Sequence, residues 1–332
     1  MYIDLHVHLR GTVRPARARQ LARQAGREFD EGLLDEGGAF KWHDFSSFLK
    51  TYDRVASLVQ DAATLEEVAY GYLKESAELG AIYVELMLSP PDLMRQGVPF
   101  HDQISALNSA WERSRSDFGI ESRLIVTCVR HSGPDAAMEA ARLVAENQHP
   151  YIAGFGLTGD ERQYDINVFA PAFRVAKDAG LRLTAHAGEH MPASTIVEAV
   201  EVLGLHRVGH GVRAVEDKSV VSYLARNRIG LEICISSNLA LNLYRNLEEH
   251  PIRRLRDGGC LTALGSDDPA FFSSSPTNEY ALAAAACSLD MEGLKRISSE
   301  AADMSFCDQE TKKRLHEKIA IAEGGGIEPA CH

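Results

Sequence analysis

The feature that most constrains the fold of this chain is a series of short apolar stretches with β-strand character, separated by longer amphipathic stretches. There are eight strand candidates, at residues 2–9, 81–89, 122–129, 151–157, 181–187, 207–211, 229–235 and 260–266. Strands that alternate with helices imply a parallel sheet, because parallel neighbours need a long crossover, which is usually a helix. Eight such units predict an α/β fold of the closed (β/α)8 TIM-barrel type rather than an open sheet.

Helices are predicted between the strands by the spacing of apolar residues. The clearest candidates are residues 60–79, 169–180, 191–203 and 216–227. Segment 30–60 differs from them because it is polar and aromatic, and it predicts a helical insertion after the first strand. Its aromatic stretch WHDFSSF, residues 42–48, either covers a pocket as a lid or forms the buried face of a helix.

The sequence predicts a single domain. No linker rich in Pro, Gly or Ser divides its 332 residues. We therefore expect one barrel domain over residues 1–322, which also carries the site, and a flexible glycine-rich tail at 323–332.

Composition narrows the class of partner and the compartment. The net charge of −12 and the pI near 5.6 argue against nucleic acid or an anionic membrane as the main partner. No run of about 18 apolar residues predicts a membrane span. The six cysteines lack the paired spacing of a metal or disulfide motif, so we expect reduced thiols and a cytoplasmic location. The oligomeric state is not indicated by the sequence.

Polar side chains collect at the ends of the predicted strands, where the active sites of such barrels lie. They are His6 and His8 on the first strand, His186 and Glu189 at the fifth, His210 at the sixth, and Asp267 and Asp268 at the eighth. Residues i and i+2 of a strand point to the same side, so the two histidines of the first strand face the barrel mouth together.

Three imidazoles and a carboxylate from these strand ends form a set that suits a borderline cation such as Zn²⁺. Each part has a simpler explanation: a lone His-x-His is a weak motif, His210 could be a hydrogen-bonded core residue, and Asp-Asp-Pro often caps a helix. The metal site is inferred from these residues together and not from any one of them, because an eight-stranded barrel brings all these strand ends to one place. The sequence therefore predicts a catalytic metal site.

Six segments closely resemble the adenosine deaminase family of the amidohydrolase superfamily, in the family's order and across nearly the whole chain. They are HVHLRGTVRP (6–15), GFGLTGDE (154–161), LTAHAGE (183–189), RVGHGVRA (207–214), SSN (236–238) and LGSDDPAFF (264–272). The resemblance implies hydrolytic deamination of a 6-aminopurine at a zinc centre.

The resemblance also implies a role for each matching residue. The ligands of one Zn²⁺ per subunit would be His6, His8, His186 and Asp267. The catalytic side chains would be Glu189, which protonates the purine at N1, His210, which orients the attacking hydroxide, and Asp267, which takes its proton. The substrate-binding residues would be Asp268 at N7, the Gly159 backbone at N3, His8 and Arg10.

Arg10 departs from the family pattern, which usually has an acidic residue at this position, associated with the ribose 5′ end. An arginine has only hydrogen-bond donors. Three interpretations remain open: a salt bridge with Asp160 or Glu161, pairing with an anionic group of the substrate, or a smaller substrate without ribose.

The Gly-Asp-Glu segment and the GTVRP run favour a nucleoside within this resemblance. The prediction is therefore adenosine or 2′-deoxyadenosine, with adenine or a 5′-substituted adenosine as the alternative. Two further classes stay open, namely a zinc amidohydrolase of a non-purine amide and a non-catalytic purine-binding relative.

Overall fold

The computed structural model describes residues 1–321, and its sheet is a closed barrel of parallel strands in the order β1 to β8. The strands are β1 (Tyr2–His8), β2 (Ala81–Leu88), β3 (Glu121–Val129), β4 (Ile152–Thr158), β5 (Arg182–Ala187), β6 (Arg207–His210), β7 (Gly230–Ile233) and β8 (Thr262–Leu264). The predicted (β/α)8 barrel is confirmed. The tail predicted at 323–332 lies outside the described residues.

Helices surround the barrel and follow most of its strands. They are α1 (Pro15–Gln24), α2 (Phe45–Ala56), α3 (Ala62–Glu78), α4 (Pro90–Arg95), α5 (Phe100–Phe118), α6 (Gly133–Glu146), α7 (Ala170–Asp178), α8 (Ser194–Leu203), α9 (Lys218–Asn227), α10 (Ile235–Ala240), α11 (Ile252–Asp257), α12 (Pro269–Phe272), α13 (Pro276–Cys287), α14 (Met291–Met304) and α15 (Gln309–Ile321). The four predicted helices correspond to α3, α7, α8 and α9. Within the described residues, no helix combines the length and apolarity that a membrane crossing requires.

Segment 30–60 contains α2, which begins at a capping box. The Asp44 carboxylate accepts a hydrogen bond from the Ser47 backbone N–H, and the Ser47 hydroxyl oxygen accepts one from the Asp44 N–H. These bonds satisfy backbone donors that the first turn leaves free, so the helix starts at a defined residue. Phe48 and Val55 of this helix are buried against the barrel.

Charged side chains fill one part of the barrel interior. Arg207, at the start of β6, donates from Nε to Glu232 Oε1 at 2.6 Å and from Nη2 to Glu85 Oε2 at 2.5 Å. Its guanidinium lies over the ring of Phe306, 3.6 Å from the centroid. All three charged groups are almost completely buried, and each is paired, as buried charges must be.

Glu279 of α13 links the outer helices to the strand ends. Its carboxylate accepts hydrogen bonds from the backbone N–H groups of Ile235 at 2.7 Å and Ser236 at 3.1 Å, in the first turn of α10. Burial raises the pKa of Glu279 to about 8, against an ordinary value of 4.5, although these bonds oppose the rise. The group is therefore protonated in the folded chain at neutral pH.

We expect Glu279 to make the fold less stable as the pH rises. The folded state holds this proton more tightly than the unfolded state, so the stabilisation is complete below about pH 4.5 and is lost as the pH rises through about 8. Glu279→Gln removes this dependence, which amounts to at most about 1.4 kcal/mol per pH unit. Urea unfolding of the wild type and of Glu279→Gln between pH 5 and 8 measures the slope of the free energy of unfolding against pH. Equal slopes, or the same flattening in the exposed control Glu78→Gln, would contradict the prediction.

Candidate active site

The imidazoles predicted to act together meet at one end of the barrel. The ligating atoms of His6, His8 and His186 all lie within 4.8 Å of one another. His6 Nε2 is 3.1 Å from His186 Nε2, and the His8 and His186 ring centroids are 5.5 Å apart. The carboxyl ends of β1 and β5, which are distant in sequence, therefore present three imidazoles to a shared space.

Asp267 joins these histidines because its backbone pairs with β1. The Asp267 N–H donates to the His6 carbonyl and its own carbonyl accepts from the His8 N–H, both at 2.8 Å. Its φ of 59° is a conformation that L-residues seldom adopt, and such strain is common at functional sites. Asp267 Oδ1 lies 3.3 Å from His8 Nε2 and 4.0 Å from His6 Nε2.

The donor set fits a cation. His6 Nδ1 lies 2.6 Å from Glu232 Oε2, so this nitrogen carries the proton and the Nε2 lone pair faces His186 and Asp267. Arg207 also binds Glu232, and with His6 it outweighs the effect of burial and lowers the pKa of Glu232 to about 2. Nitrogen and carboxylate ligands of this kind suit Zn²⁺ and similar ions.

His210 ends β6 beside the same cluster. It has a φ of 60°, and its Nε2 lies 4.0 Å from Asp267 Oδ2 and 3.8 Å from Glu189 Oε2. Burial lowers the pKa of His210 to about 3, so the ring is neutral at pH 7. A neutral imidazole in this position can hold a nucleophile between the ligand cluster and Glu189.

Glu189 is a buried carboxyl in the loop after β5. Burial, reinforced by the negative charges of Glu161 and Asp267, raises its pKa well above the ordinary value. The Glu161 carboxylate fixes this loop, because it accepts hydrogen bonds from the backbone N–H groups of Glu189 and Met191, both at 3.0 Å. The loop thus places a buried carboxyl of raised pKa next to the ligand cluster, where it is suited to general acid catalysis.

Asp268 faces the cavity and does not cap a helix. It is the residue before α12, yet its side chain makes no capping hydrogen bond, and Oδ1 is buried without a hydrogen-bond partner among the described residues. Burial raises its pKa well above the ordinary value, aided by the neighbouring Asp267 and opposed by His8. The helix-capping explanation of the Asp-Asp-Pro motif is therefore wrong for this carboxyl group.

Gly11 makes room for Asp268. A Cβ atom at position 11 would lie 1.8 Å from Asp268 Oδ1, far too close for two non-bonded heavy atoms. We expect Gly11→Ala to displace this carboxyl and to lower kcat/KM by about 100-fold, since a shift of about 1 Å has effects of that order. Steady-state kinetics and thermal unfolding measure it. Gly71→Ala, where a Cβ meets no atom within 4 Å, is the matched control, and full activity of Gly11→Ala would contradict the prediction.

The cavity in front of this cluster has a volume of about 420 Å³. His8, His186, Glu189, His210, Asp267 and Asp268 line it together with Gly159, whose φ of 88° favours glycine. Six residues of α2 also line it: Phe45, Phe48, Leu49, Tyr52, Asp53 and Ala56. Phe48 also packs against Trp42 and Phe272, so the aromatic stretch both borders the cavity and is anchored to the barrel.

Arg10 lines the cavity as well, but its partner differs from the prediction. Its Nη2 donates to Asp92 Oδ2 at 2.5 Å. The predicted partners are engaged elsewhere, because Asp160 pairs with Arg162 and Glu161 binds the backbone after β5. Arg10 therefore does form a salt bridge, which was one of the three open interpretations, but its partner is Asp92 of α4, and the suggested partners Asp160 and Glu161 are wrong.

Sequence reasoning missed four residues that build the site: Gly11, Arg207, Glu232, and Glu161 in its role as a loop anchor. A signal was available for Arg207 and Glu232, because each is a charged residue within an apolar strand candidate, and buried charges must be paired. Gly11 lies within segment 6–15, which carries the family resemblance, but its contact with Asp268 depends on the close approach of a distant strand end that the local sequence does not show.

The barrel and its histidine–carboxylate cluster define the class of protein, a hydrolase of the amidohydrolase superfamily. The chain belongs to the adenosine deaminase family, since the model described as "Adenosine deaminase" matches residues 2–322. Members of this family hydrolyse the C–N bond of an aminopurine, so the chain is a purine deaminase by family.

Individual relatives agree with this assignment. The chain is 39% identical to a protein named adenine deaminase from Sinorhizobium medicae, over 94% of this chain and 96% of the relative. The crystal structure of adenine deaminase from Arthrobacter aurescens has a TM-score of 0.88 at 27% identity, with 96% of this chain and 98% of that chain covered. An amidohydrolase from B. ambifaria, solved with bound Zn, has a TM-score of 0.85 at 25% identity, covering 96% and 89%.

Proposed function

We propose that this protein is an adenine deaminase, which hydrolyses the 6-amino group of adenine to give hypoxanthine and ammonia. The observation that carries the proposal is the buried Glu189 carboxyl, whose pKa burial raises well above its ordinary value, beside the cluster of His6, His8, His186 and Asp267 in one cavity. The names of the relatives support adenine as the substrate. A cytoplasmic location stays a prediction from the cysteine pattern.

The nucleoside preference predicted from the Gly-Asp-Glu segment is not supported by the relatives. They are named adenine deaminase, which favours the alternative substrate instead. The Glu161 carboxylate of that segment anchors the loop that carries Glu189, a role that any 6-aminopurine would need. The segment therefore serves the shared chemistry and does not separate base from nucleoside.

His6, His8, His186 and Asp267 would hold the metal, proposed to be one Zn²⁺ per subunit. The bound Zn of the B. ambifaria relative supports this choice. A cation held there would lower the pKa of a bound water and so provide a nucleophile at neutral pH.

The remaining side chains divide the proton transfers. Glu189 donates its proton to N1 of the ring, which withdraws electron density and makes C6 open to attack. His210 orients the attacking water, and Asp267 accepts a proton from it. Asp267 passes this proton to the amino group, which leaves as ammonia, and the proton of the new C6 hydroxyl returns to Glu189 as the C6 carbonyl forms. Adenine and water thus give hypoxanthine and ammonia, and both carboxyl groups regain their starting protonation states.

Recognition of the base falls to groups on the cavity wall. A protonated Asp268 can donate a hydrogen bond to N7, which an ionised carboxylate cannot do. Its raised pKa supports this role. Gly159, whose backbone lines the cavity, would donate to N3, and the His8 ring lies beside the base.

A substrate panel with metal analysis tests the proposal. We expect one metal ion per chain, loss of activity on chelation and its return on adding Zn²⁺, and the highest kcat/KM for adenine among adenine, adenosine and 2′-deoxyadenosine. The change in purine absorbance and the release of ammonia are the readouts. If no 6-aminopurine is turned over by metal-loaded protein, the proposal fails. A non-purine amide as the best substrate would favour the other amidohydrolase class.

A further inference from the structure

One part of the cavity wall is an ion pair that the proposed chemistry does not use. The Arg10 and Asp92 side chains are only 9% and 21% exposed, and both line the cavity. Asp92 Oδ1 also accepts from Arg95 Nη2 at 2.5 Å. The Arg10–Asp92 pair is therefore held from two sides and largely shielded from water.

The position of the pair follows from the chain. Arg10 comes two residues after His8 and immediately before Gly11, which lies against Asp268. Asp92 is in the first turn of α4, just after β2. The pair thus connects the ends of the neighbouring strands β1 and β2 across the cavity wall.

Purine chemistry indicates which substrate atoms meet this wall. With C6 at the ligand cluster, N1 and N7 face the acids beside it, whereas N9 lies on the far side of the ring system. A substituent on N9 therefore extends away from the cluster and toward the rest of the wall. Free adenine carries only hydrogen there, and a nucleoside carries a sugar.

The charges around Arg10 do not favour an anionic substituent. Asp92 and the nearby Asp53 balance the positive charges of Arg10 and Arg95. A phosphate or carboxylate on the substrate would have to displace Asp92 from Arg10, and the displaced carboxylate would then lie near the incoming anion. The interpretation of Arg10 as a receptor for an anionic group is thus poorly supported.

We propose that the Arg10–Asp92 pair is the specificity determinant that admits the free base and rejects purines with a sugar at N9. This inference rests on the proposed function. A sugar would force the pair apart in a largely desolvated wall, and separating buried charges is strongly unfavourable. Its hydroxyl protons would meet a guanidinium, which cannot accept them. Adenine carries only hydrogen at N9, so it brings no sugar against the pair and its turnover carries no such penalty.

The test compares adenine, 9-methyladenine, adenosine and AMP as substrates of the wild type and of the double variant Arg10→Ala/Asp92→Ala. Removing both partners opens the wall without leaving an unpaired charge. We expect the ratio of kcat/KM for adenosine to that for adenine to rise at least about tenfold in the double variant. The gain for 9-methyladenine is smaller, because a methyl group extends less far toward the pair.

Arg14→Gln is the matched control. Arg14 lies four residues after Arg10 and forms an ion pair with Glu75 that is exposed to solvent. This variant leaves the substrate ratio unchanged. Arg10→Met keeps much of the length of the side chain without its charge. It replaces the double variant in the same substrate comparison if the double variant does not fold. Calorimetric binding of adenine and adenosine gives the same comparison without turnover.

Two results would overturn the inference: an unchanged ratio in a folded variant, or AMP as the best substrate of the wild type. Failure of the wild type to turn over adenine would instead refute the proposed function. In that case the binding comparison still decides whether the pair excludes a sugar.

Discussion

Replacing Glu189 by glutamine is expected to lower kcat/KM for adenine by about 1,000-fold or more, within the range that general acid catalysis contributes. Glutamine keeps the shape of the side chain, but it has no acidic proton to give to the purine ring. Burial and the charge of Glu161 raise the pKa of the native carboxyl and so favour its neutral form, which a neutral amide resembles. Steady-state kinetics measure the activity of the variant, metal analysis measures its metal content, and thermal unfolding measures its stability.

The controls separate loss of the proton from loss of the site. Glu189→Gln should bind the metal as the wild type does and unfold at a similar temperature. Glu78→Gln, an exposed glutamate on α3, should retain full activity. A Glu189→Gln enzyme with more than about a tenth of the native kcat/KM would show that the carboxyl group is not the proton donor.

Replacing Glu232 by glutamine is expected to weaken both the metal site and the fold. The Glu232 carboxylate accepts from His6 and from Arg207, so an amide leaves a buried guanidinium with Glu85 as its one carboxylate. We expect metal affinity to fall by about 10- to 100-fold, as is usual when a group that orients a ligand is changed. The free energy of unfolding of the metal-free protein should fall by about 3–5 kcal/mol.

Competition with a metal-binding dye measures the affinity, and urea unfolding in the presence of a chelator measures the stability. Glu75→Gln is the matched control, because its exposed pair with Arg14 is worth at most about 1 kcal/mol. If Glu232→Gln behaved like this control in both measurements, the buried network would have no part in holding His6.

The barrel and the ligand cluster could be predicted because both depend on local patterns. Strand candidates such as 81–89 and 122–129 are mostly apolar, as is typical of strands buried on both faces, and they end within two residues of β2 and β3. His6 and His8 share a face by the two-residue period of any strand. Once the barrel is inferred, its geometry brings His186 and Asp267 to the same place.

The partner of Arg10 could not be predicted, because this contact depends on long-range packing and not on a local sequence pattern. Asp92 is 82 residues away, on a short helix whose tilt depends on packing against α5 and α6. Nothing in the local sequence distinguishes it from Asp160 or Glu161 as a partner. Substrate preference depends on such contacts in the cavity wall, which explains why the reaction class followed from the sequence and the choice of substrate did not.

The pairing of Asp267 with β1 has a consequence for the order in which the enzyme matures. Asp267 occupies the seam where the last strand meets the first, and its main-chain bonds to His6 and His8 are among the contacts that close the ring. The complete set of proposed ligands therefore exists only after β8 has docked. During synthesis from the N-terminus, more than 250 further residues follow the histidines of β1 before Asp267 is made. Metal binding by all four proposed ligands would thus report that the ring has closed.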